Sequence, residues 1–416
     1  MKIARAKGTK DIFGKDIKSW QIIEKKVREI CEKHNIGEIR TPVFESTELY
    51  QRGVGDETDI VNKEMYTFLD KGGRSITLRP ELTAGVVRSY IENGMGSLYS
   101  PQKFWYIANM YRYEKMQKGR YREFSQFGIE MFGSESYLAD VEAICVSNEL
   151  MEELNLRDKV SLNINSIGCS SCRKKYLEKL KEYVRPNIDS MCDSCRVRFE
   201  KNPMRMLDCK EEKCKEILKN APVITECLCD ECRKEFEAVK NALEKIGIKY
   251  NVDTSIVRGL DYYNGLVYEW TSNDLDLAVG GGGRYDTLVE KLGGAHTPAV
   301  GFGIGMDRLV LLLEQYNLVD SVDKPVDFYI ATFDEDSAIY VGNIANELRK
   351  KGYVVDCNIT KKNLKNQFKY ADKICAKWTI VVGGEEINKG TCSLKNMESG
   401  VQVECKLDVE EIIKNI

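Results

Sequence analysis

Long apolar runs are missing from this 416-residue chain. No stretch approaches the roughly eighteen consecutive apolar residues of a membrane-spanning helix, so no such helix and no membrane partner is expected. The opening residues, MKIARAKGTKDIFG, lack the apolar centre of a secretion signal. Charge of one sign is lacking too. The formal net charge is −3, so nothing global announces nucleic acid, and any such contact must use local patches. Low-complexity tracts and fixed-period repeats do not occur. Neither does a phosphate-binding Walker loop or a dinucleotide-binding glycine fingerprint. Histidine is rare, with two residues in all. His34 ends a helical stretch and reads as a cap; His296 sits in a Gly-Gly-Ala-His-Thr-Pro loop and has no assigned role.

Cysteine, by contrast, is abundant, with fifteen residues. Without a secretion signal, that number implies a reducing, cytoplasmic setting, with thiols free or on metal rather than in disulfides. Nine of them lie between Cys169 and Cys232. Cys169 and Cys172, then Cys192 and Cys195, have the spacing of a four-thiolate zinc knuckle. Cys209, Cys214, Cys227, Cys229 and Cys232 would supply a second, less regular site. Thiolates suit zinc, which accepts sulfur and imposes a tetrahedron without redox chemistry. Lys and Arg interleave through the stretch, as a surface facing nucleic acid needs. Hydrophobic content of 43% and charged content of 31% are ordinary for a globular protein, and the length suits two or three domains.

The stretch Tyr111 to Glu130, YRYEKMQKGRYREFSQFGIE, is the densest in chemistry. Alternation places Arg112 and Glu114 on one face of a strand. Gln117 to Arg120 reads as a polar hairpin loop, and Arg122 to Glu130 returns as a second strand carrying Phe124, Gln126, Gly128 and Glu130. Arginine forks suit phosphate; carboxylates and amides suit an amino group or a ring N–H.

Other elements are placed around this hairpin. An amphipathic helix spans Ile17 to Asn35, with Trp20, Ile23, Val27 and Ile30 at helical spacing. Gly37 to Glu45 reads as a turn and a strand. Met65 to Leu69 and Ser75 to Leu78 pair around a Lys71-Gly72-Gly73 turn. Leu78-Arg79-Pro80-Glu81-Leu82-Thr83 then opens a helix from Ala84 to Asn93, with Thr83 as cap and Glu81 near the helix dipole. Further on come Val257-Arg258-Gly259-Leu260-Asp261-Tyr262-Tyr263, four glycines at 280–283, and Gly301-Phe302-Gly303-Ile304-Gly305-Met306-Asp307-Arg308. Asp320 to Pro325 is a polar break. Beyond it, strands and helices alternate, implying a small α/β domain with a mixed sheet. Between Arg349 and Lys377 stand nine basic residues, with Phe368 and Tyr370 among them; that composition suits phosphate contact and base stacking.

Arg112-Tyr113-Glu114 with Gly119 to Phe124 resembles motif 2 of the class II aminoacyl-tRNA synthetases, and more narrowly of the histidyl-tRNA synthetases. Gly37 to Glu45 resembles motif 1, Pro298 to Leu309 resembles motif 3, and Val257 to Gly265 resembles the signature peptide of the histidyl enzymes. The resemblance covers nearly the whole chain. It implies an α+β fold: an antiparallel-sheet catalytic domain over residues 1–324, interrupted by a Cys-rich insertion at 168–235, then a C-terminal α/β anticodon-binding domain at 325–416. It implies ligation of L-histidine to the 3′ end of tRNA(His) through a histidyl-adenylate, with ATP as substrate, Mg2+ on the triphosphate, and a homodimer formed through motif 1.

By the same resemblance Arg112 and Arg258 flank the α-phosphate as catalytic residues. Glu123 and Phe124 receive adenine and Arg308 the γ-phosphate. Glu81 and Thr83 hold the α-amino group of histidine, and Tyr262 and Tyr263 line the pocket for its ring. Strand alternation and donor–acceptor chemistry add that Glu130 accepts from one ring N–H, Tyr263 serves the other nitrogen, and Gln126 joins Glu81 at the backbone end. Lys115-Met116 stands where Arg-Pro is common in the family, Ser125 where His is common, and Leu82 where Gly is. Two rival readings are a catalytically silent regulatory subunit of ATP phosphoribosyltransferase and a zinc-stabilised RNA-binding protein. The intact motifs and the C-terminal domain count against both.

Overall fold

The computed structural model describes residues 3–416 except 15, 56, 57, 258, 276, 320–325 and 361. The chain separates into two compact units, Met1–Val319 and Asp320–Ile416.

The first unit contains eleven strands among the described residues: β1 (Gly37–Glu38), β2 (Phe44–Ser46), β3 (Tyr66–Leu69), β4 (Ser75–Leu78), β5 (Gln102–Tyr111), β6 (Glu123–Phe132), β7 (Val160–Ser166), β8 (Asn251–Val252), β9 (Asn264–Ser272), β10 (Ala278–Arg284) and β11 (Ala299–Gly305). Eight of them form one sheet in the order β1-β5-β6-β11-β10-β9-β7-β8. Its interior pairings are antiparallel; only the edge pairs β1·β5 and β7·β8 are parallel. The small sheet β2-β4-β3 stands apart.

Alternation along β6 decides which face does what. Phe127, Ile129 and Met131 point into a core that also holds Trp20, Ile23, Val27 and Ile30 of the helix Asp16–Lys33. The helices Tyr137–Glu153, Asp230–Lys245 and Met306–Gln315 complete that layer. The intervening residues Phe124, Gln126, Gly128 and Glu130 face the other way. There the sheet is covered by the helix Thr83–Glu92, by tyrosines and by the Cys-rich stretch. A two-residue period thus puts the apolar set in one core and the polar set on the opposite surface.

His34 is not simply a cap. It is half-buried between Glu142 (3.1 Å) and Glu149 (2.8 Å). Burial lowers its pKa, the two carboxylates raise it, and the carboxylates prevail.

In the second unit, β12 (Phe328–Thr332), β13 (Val355–Cys357), β14 (Trp378–Val382), β15 (Thr391–Asn396) and β16 (Gln402–Lys406) form a mixed sheet in the order β13-β12-β14-β15-β16. β15 and the short helices Gly384–Lys389 and Val409–Lys414 are not foreseen from the sequence. Phe328, Ile330, Leu348, Ile380, Leu394 and Ile412 make a core of this unit's own.

Candidate active site

The β5–β6 hairpin carries one end of the site. Ladder pairing runs from Gln102↔Phe132 to Tyr111↔Glu123. One more bond, Arg112 N–H to the Arg122 carbonyl at 2.9 Å, leads into the loop, where Gln117 and Arg120 close a bridge. Gly119 adopts φ +73° at this turn, a conformation that disfavours other residues.

Three arginines leave this hairpin, and they do not all converge. The Arg112 Nε donates to the Pro80 carbonyl at 2.7 Å, and its guanidinium lies 5.3 Å from the Phe124 ring centre. Arg112 and Arg120 share Glu114, at 3.6 and 3.5 Å. Arg122 turns away: its backbone donates to the Gly8 carbonyl, and its guanidinium stacks 3.6 Å from Tyr113. The third cation of the group is instead Arg308, at the start of Met306–Gln315. Burial first, then the neighbouring Arg120, lowers its pKa to about 10, with Arg112 adding to the repulsion. A half-buried group of three like charges is a place where a polyanion relieves repulsion. Asp307 ties the parts together, accepting from the Ser125 N–H at 3.0 Å and pairing with Lys10 at 2.6 Å.

Further along the same face lies a buried carboxylate pair. Glu130 is 1% exposed. Its carboxylate accepts from Thr83 Oγ1 at 2.7 Å, from the Tyr106 hydroxyl at 3.2 Å and from the Tyr285 hydroxyl. Burial pushes its pKa up to about 8, against the three hydroxyls, which lower it; nearby Glu81 adds to the rise. Glu81 Oε1 accepts from the Ala84 N–H at 3.0 Å, while its Oε2 is buried with no partner. Burial raises its pKa as well. Tyr262 and Tyr263 close the pocket, with ring centres 4.7 Å apart and Tyr262 5.6 Å from Tyr285.

Glycines make this floor usable. A Cβ on Gly128 would sit 2.4 Å from the hydroxyl and ring of Tyr106, the residue opposite it in the ladder. Tyr106 reaches Glu130 only because that space is open. A Cβ on Gly301 would sit 2.1 Å from Glu130 Oε2.

Sequence comparison supplies the family. A model of the family described as histidyl-tRNA synthetase matches residues 8–309, and one described as anticodon binding domain matches residues 327–416. The chain belongs to the histidyl-tRNA synthetase family.

It is 52% identical over 404 residues to a protein of Acetivibrio thermocellus named histidine–tRNA ligase, covering 97% of each chain. It is 48% identical over 416 residues to one of that name from Clostridium perfringens, covering 99% of each. The crystal structure of apo Staphylococcus aureus histidyl-tRNA synthetase matches with a TM-score of 0.81 at 37% identity, over 98% of both chains. The fold is therefore the class II histidyl-tRNA synthetase fold with a separate C-terminal anticodon-binding domain.

Most site positions expected from the resemblance meet on this one sheet face: Glu81, Thr83, Glu130, Tyr262 and Tyr263 at the pocket, Arg112, Phe124 and Arg308 at the cationic end. Gln126 lies between them, 3.6 Å from the Cβ position that Gly303 leaves open. Glu123 is engaged elsewhere, accepting from Asn109 Nδ2 at 3.0 Å and Tyr111 at 3.3 Å. Arg258 lies outside the described residues.

Sequence reading missed Tyr106 and Tyr285. Tyr106 left a signal: a hydroxyl at an inward position of an apolar strand, opposite Gly128 of the partner strand. Tyr285 left none, because a register shift between Gly283 and Arg284 re-aims the chain there. Arg79 was also missed. It is buried and donates to the carbonyls of Asn109 (2.7 Å) and Thr41 (2.9 Å), bracing the entry to the pocket helix.

The cysteine grouping needs correction. Cys169, Cys172, Cys192 and Cys195 do not meet. Cys169 and Cys172 gather with Cys229 and Cys232, and Cys192 and Cys195 with Cys209 and Cys214. The reason is topological. Each Cys-x2-Cys pair occupies a helix start, at Ser170–Val184, Asp193–Lys201 or Asp230–Lys245, and the packing of those helices brings the first and last together at the neck of the insertion.

Proposed function

We propose that this site joins L-histidine to ATP as histidyl-adenylate and passes the histidyl group to the 3′-terminal adenosine of tRNA(His). One observation carries the reading: a buried carboxylate pocket ringed by tyrosines and a three-arginine group occupy adjoining positions on one sheet face. That pairing suits an amino acid set beside a nucleotide triphosphate.

A histidine carboxylate oxygen attacks the α-phosphorus. The bond to the β-phosphate oxygen breaks and pyrophosphate leaves with its electron pair. A ribose hydroxyl of the tRNA end then attacks the acyl carbon, and AMP departs. No side-chain nucleophile is required; placement and electrostatics lower the barrier.

In this assignment Arg112 and Arg258 flank the α-phosphate and Arg308 meets the γ-phosphate. Phe124 stacks on adenine; Glu123 reaches its exocyclic amine only by giving up Asn109 and Tyr111. Glu81 Oε2, buried and unpartnered, takes the α-amino group with Thr83 and Gln126 beside it. Glu130 and Tyr263 serve the two ring nitrogens, and Tyr262 walls the pocket. Glu130 holds its proton below about pH 8 in the free chain; a bound ring N–H favours its ionised form, whose roughly four acceptor positions take the three hydroxyls and that N–H together. Glu64 and Glu114, beside the arginine group, would be the carboxylates to hold Mg2+, which would neutralise polyphosphate charge; burial, then Glu114, raises the Glu64 pKa.

The C-terminal unit reads as the tRNA-binding part. Lys365, Lys369 and Lys373 recur every four residues along the exposed side of the helix Leu364–Lys373, a spacing that aligns cations on one face. Homodimerisation through the motif 1 region is supported by exposed Val43, Phe44, Phe68 and Leu69 on and beside the small sheet. A cytoplasmic setting fits fifteen free thiols, and among the described residues no helix is long and apolar enough to cross a membrane. The silent regulatory-subunit alternative is less supported, since relatives near half identity are named ligases.

Histidine-dependent exchange of pyrophosphate into ATP tests the reading. Exchange with histidine and none with the other amino acids is expected. Absence of exchange with a correctly folded chain would refute it.

A further inference from the structure

The Cys-rich insertion holds two clusters of four thiols. In each, the four sulfurs lie within 4.8 Å of one another. Cys169 Sγ is 3.5 Å from Cys172 Sγ, and Cys192 Sγ is 3.7 Å from Cys209 Sγ. A tetrahedral zinc with sulfur ligands near 2.3 Å separates its sulfurs by about 3.8 Å, so these spacings fit one ion per cluster. An iron–sulfur cluster, several atoms wide, would hold the sulfurs farther apart.

The surroundings suit thiolates. Cys169, Cys192 and Cys229 each stand at a helix N-cap, with the second cysteine of the pair in the first turn. Backbone N–H groups donate to sulfur: Cys229 N to Cys172 Sγ at 3.1 Å and Cys192 N to Cys214 Sγ at 3.3 Å. Such donors and positive helix ends favour sulfur as its anion.

Both clusters grip the same strip of the proposed active site. Arg173, next to Cys172, donates to the Tyr263 carbonyl at 3.1 Å. The adjoining backbone is knitted as well: Ile167 N–H bonds the Gly265 carbonyl, and Gly265 N–H the Gly168 carbonyl. From the loop between Cys195 and Cys209, Asn202 Nδ2 donates to Asp261 Oδ1 at 3.1 Å. In the same loop Arg205 bonds the Gly259 carbonyl and pairs with Asp261 at 3.7 Å. The strip 259–263 is therefore held at its two ends by two differently tied parts of the insertion.

We propose that Cys169, Cys172, Cys229 and Cys232 bind one zinc ion and Cys192, Cys195, Cys209 and Cys214 a second. The two ions act as positioning braces for residues 259–263. On binding, four thiols per site release four protons and form four zinc–sulfur bonds, with no electron transferred. The metal assignment stands independently of the catalytic reading; the bracing rests on it.

Elemental analysis of the full chain should give about two zinc ions per chain. The double variant Cys169→Ser/Cys232→Ser should keep one, and Cys169→Ser/Cys192→Ser none. The inverse pattern, iron in place of zinc, or less than one zinc per chain would overturn the assignment. If the variants fail to fold, titrating wild-type thiols with a mercurial while following zinc release gives the same stoichiometry. Bracing is read with Arg173→Ala and Arg205→Ala, which leave the thiols intact. Arg173→Ala should raise the histidine KM several-fold with the ATP KM unchanged. Arg205→Ala, acting at Gly259 beside Arg258 in sequence, should lower kcat more than it raises KM. Wild-type kinetics in both would overturn the bracing while leaving the metal count standing.

Discussion

The proposed histidine pocket and the Cys-rich insertion both hold polar groups in fixed, buried arrays, by opposite means. In the pocket the array is read along one strand: Phe124, Gln126, Gly128 and Glu130 share a face because strand side chains alternate. The glycines at 128 and 301 then open the space that Tyr106 and Glu130 fill. In the insertion the partners are remote, since Cys172 meets the Cys229 backbone across 57 positions. Only the packing of separate helices decides that encounter. Pocket residues should therefore tolerate little substitution yet leave the insertion untouched. Loss of Arg173, Asn202 or Arg205 should reach the pocket through their bonds to residues 259–263.

The largest effect expected from the pocket side is on the chemical step. Arg258→Ala removes the cation that the proposed assignment gives to the α-phosphate and should lower kcat for exchange by roughly 10²–10³-fold, even at saturating histidine, with zinc content unchanged. A smaller loss would place the transition-state charge on Arg112 and Arg308 instead.

Next comes recognition of the ring. Glu130→Gln replaces a carboxylate bound by Thr83, Tyr106 and Tyr285. Mispairing one buried group costs about 1–3 kcal/mol, so the histidine KM should rise roughly 10- to 100-fold while ATP binding holds. An unchanged histidine dependence would remove Glu130 from the pocket.

Gly128→Ala sharpens the comparison from the backbone. Its Cβ would collide with Tyr106, and overpacking of this kind costs about 1–3 kcal/mol. A lower Tm and a raised histidine KM are expected, with metal stoichiometry untouched. A wild-type Tm would show that Tyr106 has room to move aside.

The smallest effect is in pH dependence. Glu130 is raised from 4.5 to about 8 in the folded chain, so between those values the folded protein keeps a proton that the unfolded chain has released. Stability is then lost as pH rises through this window and levels off above it. Tm measured from pH 5 to 9 should fall more in the wild type than in Glu130→Gln. Parallel curves would mean that the three hydroxyls hold Glu130 ionised.

Local patterning made much of this readable in advance. The hairpin, the helix after Pro80 and the helix of Trp20 and Ile23 follow from periods of two or 3.6 and from turn residues, while the part played by Arg308 comes from the resemblance of its stretch to motif 3. What escaped depended on contacts across strands rather than along them: the departure of Arg122 to Tyr113, the engagement of Glu123 by Asn109, and the short strand Thr391–Asn396, whose pairing with Trp378–Val382 and Gln402–Lys406 supplies what its own residues do not announce.

The amino-acid sequence by itself determined which residues share a strand face or a helix start, because backbone geometry sets those relations within a few residues. It thereby determined that Phe124, Gln126, Gly128 and Glu130 would line one strand face, and that thiols would stand in Cys-x2-Cys pairs. Which thiol pairs meet, and that Tyr106 and Tyr285 close on Glu130, only the tertiary structure decided. Those encounters join segments far apart in the chain, and they are selected by how whole helices and strands pack rather than by any residue's own preference.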